Sequence, residues 1–164
     1  MKLRSTIFLQ AVTVLIGIAA LFVMIRIPLT EGRAATLDLL SIYTDPFILY
    51  GYAAAIPFFI TLYTTFKLLG YIAQNKAFSP NSVKALKRIQ YCAILLVLLI
   101  VLAAVIIRLF HNNEDDPAGF IALCIAAGFV TIVVATAAAM FAKILQDGID
   151  IKSKNEQLQH EAQK

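Results

Sequence analysis

Four continuous apolar runs dominate the chain: Ile7 to Ile27, Phe47 to Leu69, Ile89 to Ile107, and Ala118 to Ala142. Each reaches the roughly 20 residues that an α-helix needs to cross ~30 Å of hydrocarbon. Backbone amides in lipid must be paired inside their own segment, so the runs predict helices. Barrel strands would instead alternate apolar and polar residues over ~10 positions. The expectation is an all-α fold, a four-helix transmembrane bundle forming a single membrane domain over residues 1–164. Its spans fall at about 7–27, 46–70, 88–109 and 118–142.

Composition sharpens this pattern. The chain is 60% hydrophobic and 15% charged, with a mean hydropathy of +0.82. Soluble domains hold about 45–50% apolar residues, and a single aqueous core of this length cannot bury the excess. Lys2 and Arg4 ahead of the first run resemble the start of a secretory signal. That run exceeds the ~7–15 residues of a signal's apolar region, and no small-x-small site directly follows Ile27, so an uncleaved anchor is expected.

Three helix starts share one device. Asp45-Pro46, Ser79-Pro80 and Asp116-Pro117 each place a capping oxygen before a proline. The oxygen accepts from an orphan amide, and proline at the first helical position loses no hydrogen bond. The third helix thus begins near Pro80, ahead of its apolar run, in the stretch KAFSPNSVKALKRIQY. Over residues 80–88, Val83 and Leu86, continued by Ile89, take one side, and Lys84, Lys87 and Arg88 the other. These first turns are expected at the lipid interface, their cations reaching for phosphates.

Charge then sets orientation. An even number of crossings puts both termini on one side, together with the 71–88 loop. That side carries Lys2, Arg4, Lys67, Lys76, Lys84, Lys87, Arg88, Lys143, Lys152, Lys154 and Lys164; the other carries Arg26, Arg33 and Arg108. Short cytoplasmic loops are rich in Lys and Arg, so both termini are expected in the cytoplasm and the protein in the bacterial inner membrane. The +4 net charge then reflects topology and anionic lipid. Direct nucleic-acid contact is not expected.

Few side chains are placed for chemistry. Arg26, Lys67, Arg108 and Lys143 lie near helix ends, where long stems reach the interface. His111 in the turn HNNEDDP and His160 in the C-terminal tail stand apart from any metal-ligand spacing. Glycine-rich phosphate loops, CxxC and HExxH motifs are absent from the sequence. No catalytic, cofactor or metal residue is assigned. Pro57 frees the carbonyl of Ala53 and predicts a kink, with Thr61, Thr64 and Thr65 on the next turns. Those hydroxyls either line a small polar cavity or bond their own backbone. Cys92 and Cys124 lie too far apart in depth for a disulfide.

Gly128, Ala135, Ala139 and Ala142 form a face that lets another helix approach closely, whether internal or from a second copy. Tyr43 and Tyr50 on one side, and Tyr71, Phe78 and Tyr91 on the other, fit interfacial belts. In the tail 143–164, Ile144, Leu145 and Ile149 extend the fourth helix. Gly148 weakens it, and beyond Ile151 the charged, Gln-rich chain is expected to fray or to fold only against a partner.

The segments NKAFSPNSVKALKRIQ and AKILQDGIDIKSKNE resemble the YoaS-like family of small bacterial inner-membrane proteins, which have four spans and no assigned biochemical function. The resemblance implies a membrane-bound partner for a small helix-turn-helix regulator. That partner's contact would lie at Phe78, Ser79, Lys84, Lys87, Arg88, Lys143, Asp147 and Gly148. Members often end in an acidic stretch followed by Asp-Leu-Thr-Ile, where this chain reads NEQLQHEAQK. The competing classes are a small oligomeric transporter or channel subunit, motivated by Pro57 and its threonines, and a structural membrane protein.

Overall fold

A computed structural model describes residues 2–30, 46–74, 76–110 and 118–162. These residues form four helices: α1 (Lys2–Thr30), α2 (Pro46–Ala73), α3 (Pro80–Phe110) and α4 (Ala118–Ala162). Each contains one of the four apolar runs, and each is long and apolar enough to cross a membrane. The main contacts follow chain order, α1 on α2, α2 on α3 and α3 on α4, with the α3–α4 seam the most extensive. The helices therefore pack as a row.

The α3–α4 seam is built from small residues. Ala135, Ala138 and Ala142 of α4 are buried, as are Leu86, Ile89 and Ala93 of α3. A Cβ on Gly128 would lie 3.8 Å from Ile100. The small face of α4 thus meets α3 of the same chain. Val83, Leu86 and Ile89, expected to rest on lipid, are instead at most 7% exposed. Leu86 and Ile89 pack against Ala138 and Ala142, with Leu68 and Leu145 at the edge. Three consecutive helices meet at that point, so protein covers the apolar side while Lys84, Lys87 and Arg88 stay exposed.

The α1–α2 seam is more polar. Along α1, Thr6, Gln10, Thr13, Gly17, Ala20 and Met24 are the positions withdrawn from the surface, at alternating steps of four and three. Gln10 Nε2 donates to the Phe66 carbonyl at 3.4 Å, and Tyr52 donates to the Met24 carbonyl at 3.5 Å. Gly17 lies so near α2 that a Cβ there would stand 2.8 Å from Leu62. The large apolar residues of α1, including Phe8, Leu15, Ile18 and Phe22, point outward and are exposed. This pattern is inverted relative to a soluble protein, as expected where lipid is the solvent and close approach drives helix association.

α2 continues through Pro57 as one helix. Thr61 donates to the Pro57 carbonyl, Thr64 to Ile60 and Thr65 to Thr61, at 2.7–2.9 Å. The hydroxyls thus serve their own helix. Tyr50 is turned inward and donates to the Leu99 carbonyl of α3 at 2.5 Å. It is a strut between helices, where a place in an interfacial belt was expected.

α4 is one helix of 45 residues, roughly 68 Å long at 1.5 Å per residue. The expected fraying beyond Ile151 does not occur: the helix runs to Ala162. Lys, Glu, Gln and Leu are strong helix formers, and side-chain pairs four apart add support. Gln146 donates to Asp150 at 3.3 Å, and Lys152 pairs with Glu156 at 4.0 Å. Asp45, Asp116 and Pro117 with their caps, Tyr43, His111 and the loop over 31–45 lie outside the described residues.

Candidate functional site: the knuckle at the basic end

The α2–α3 connector is a closed knuckle. At the end of α2, the Gln74 amide donates to Gly70 and the Lys76 amide to Tyr71, at 3.2 and 2.9 Å. A bond spanning five residues is the wide closure of a helix C-terminus, satisfying a carbonyl that lacks a helical partner. α3 then opens on the Ser79 cap. Ser79 Oγ accepts from the Ser82 amide at 3.3 Å, as the sequence predicted for Ser79-Pro80. Ser82 completes the cap: the two hydroxyls lie 3.1 Å apart, and Ser82 Oγ donates to the Lys76 carbonyl at 3.2 Å. Ser82 is wholly buried. Sequence reasoning passed over it, because the bond from its hydroxyl to a carbonyl six residues back depends on the turn of the connector and has no signature in residue spacing.

The knuckle also docks on α4. A Cβ built on Gly148 would lie 3.0 Å from Phe78 Cε1 and 3.2 Å from Cδ1. Glycine is what lets the ring lie this close to the helix. The two segments that carried the family resemblance therefore touch, through Phe78 and Gly148. The remaining candidates spread over different surfaces. Lys84, Lys87, Lys143 and Asp147 are exposed. Arg88 lines a groove shared with α1 and α2.

That groove has a volume of about 840 Å³. Most of its lining comes from α2, from Tyr52 to Thr64, with Met24 of α1 at one end and Arg88 and Cys92 of α3 at the other. A smaller groove of about 370 Å³ lies between Gln90 and Ile94 of α3 and Ile132 and Thr136 of α4. Among the described residues, no group of three or more His, Cys, Asp or Glu side chains gathers as a metal site. Cys92 and Cys124 are free thiols. Arg26 lies over the Phe22 ring at 5.3 Å, one turn away on α1.

Four long apolar helices, the middle two joined by a capped polar knuckle, define an all-α membrane protein. Across residues 11–157 the chain matches the family described as a protein of unknown function (DUF2975), and it belongs to that family. It is 40% identical over 158 residues to the uncharacterized membrane protein YoaS of Bacillus subtilis (strain 168), covering 95% of this chain and 98% of that relative. No solved structure matches.

Proposed function

We infer that the protein is a membrane-anchored docking platform without catalytic chemistry, holding a cytoplasmic protein partner on the knuckle and the free half of α4. The observation that carries this reading is the continuity of α4. Residues 150–161 are exposed throughout, yet they extend a helix whose root is fixed by Phe78 against Gly148. A mostly polar, fully exposed helix is stable where it bridges to something else or is laced with i,i+4 pairs; α4 has one such ion pair, and exposes Ile151 and Leu158 on this stretch. The excess of Lys and Arg at the knuckle end supports a cytoplasmic placement of both termini in the inner membrane. The YoaS-like resemblance nominates a small helix-turn-helix regulator as the partner; homo-oligomers are compatible with the same surface.

Pull-down from detergent extracts tests the reading. The regulator should co-purify with the intact chain and be lost from a variant ending after Ile149, since the residues removed are exposed and their deletion spares the helix seams. Equal recovery from the truncated chain and from a Phe78→Ala, Lys84→Gln, Lys87→Gln variant would refute docking at this surface. The transporter reading gains nothing from the threonines of α2, whose hydroxyls are taken up by their own backbone.

A further inference from the structure

The 840 Å³ groove combines an apolar floor with a cation at one end. From Tyr52 to Thr64 it follows twelve residue steps of α2, about 18 Å. The hydrocarbon of one leaflet is ~15 Å deep, so an extended acyl chain fits lengthwise. Exposed Ile56 and Tyr63 give the floor its contact area. Leu68 packs against Leu86 and Ile89, which places Arg88 level with the knuckle-side third of α2. Arg88 precedes the apolar run of α3; its guanidinium can therefore reach headgroup depth while its stem stays along the groove.

Charge favours one class of occupant. α1, α2 and α3 contain no Asp or Glu at all, so no carboxylate on the helices that line the groove competes for Arg88. Lys84 and Lys87 are exposed four and one residues before it. An arginine suits phosphate because its planar fork donates two parallel hydrogen bonds, and each juxtamembrane cation adds ~1 kcal/mol toward anionic lipid. We propose that this groove is a binding site for one anionic phospholipid of the leaflet at the knuckle end. The acyl chain lies along α2 between α1 and α3, and the phosphate sits on Arg88 with Lys84 and Lys87 beside it.

The chain contains no tryptophan, so a single introduced indole reports on its surroundings. Phe59→Trp places it in the groove lining. Phe129→Trp, at an exposed position of α4 outside that lining, serves as the control. Each variant is reconstituted in phosphatidylcholine vesicles containing chain-brominated phosphatidylglycerol or chain-brominated phosphatidylcholine. Phe59→Trp fluorescence should be half-quenched at about fivefold lower mole fraction of the anionic lipid than of the zwitterionic one, as ~1 kcal/mol implies. Phe129→Trp should show little preference. Adding Arg88→Gln should bring the two Phe59→Trp curves together, while Arg88→Lys should keep part of the separation. Equal headgroup preference at the two reporters overturns the proposal without recourse to any Arg88 variant. So does weaker quenching of Phe59→Trp than of Phe129→Trp by both lipids, which would mean that protein fills the groove.

Discussion

Between α3 and α4 the facing residues are alanines and a glycine set against leucine and isoleucine, whereas α1 meets α2 through threonine, glutamine and glycine. The first seam is extensive and is closed at its end by the knuckle; the second is the slightest of the three. Both let backbones come close, as lipid-embedded helices require. They differ in how that closeness is used. Alanines allow rows of larger side chains to interlock, while polar groups make single directed bonds. α1 therefore behaves as a helix tethered at a few points, and α3 with α4 as a packed pair.

Four substitutions test this contrast, each measured as a change in unfolding free energy in mixed micelles with SDS as denaturant. Ala138→Leu should be the most damaging, at ~3 kcal/mol, because a side chain 5% exposed has no room to grow. Gly17→Leu should cost ~2 kcal/mol, less because Leu62 can turn aside. A cost equal to that of Ala138→Leu would erase the difference between the seams. Ser82→Ala removes the hydroxyl bonded to the Lys76 carbonyl, and ~1 kcal/mol is expected for that buried bond. Gln10→Leu should cost only ~0.6 kcal/mol, the average for a hydrogen bond between membrane helices. A loss larger than that of Gly17→Leu would make the amide, and not close approach, the main tether of α1.

Much of this architecture was legible in the sequence. Apolar length marked the four helices, Ser79-Pro80 marked a start, and the small residues of α4 marked a close-packed face. What a membrane sequence conceals is facing. Apolar residues surround each span, so the periodicity that orients a soluble helix carries little information, and polar residues become the better guide. Thr6, Gln10 and Thr13 fall on one stripe with Gly17 and point to the α2 side of α1, a signal that a search for greasy faces overlooks. The meeting of Phe78 with Gly148 was hidden for another reason. It joins residues seventy positions apart, and Gly148 counts only as a weak point of the helix when considered without the ring it accommodates. Polar composition likewise misjudged the end of α4, where strong helix formers and paired side chains outweigh one glycine.

An unbroken α4 has a mechanical corollary. About 20 residues lie past its apolar run, a reach of roughly 30 Å. Rods of that kind have no elbow, so a swing of about 10° at the bilayer would carry the far end sideways by roughly 5 Å. Whatever rests on that tip moves with the angle of the helix pair beneath it, as the pointer of a gauge moves with its spindle.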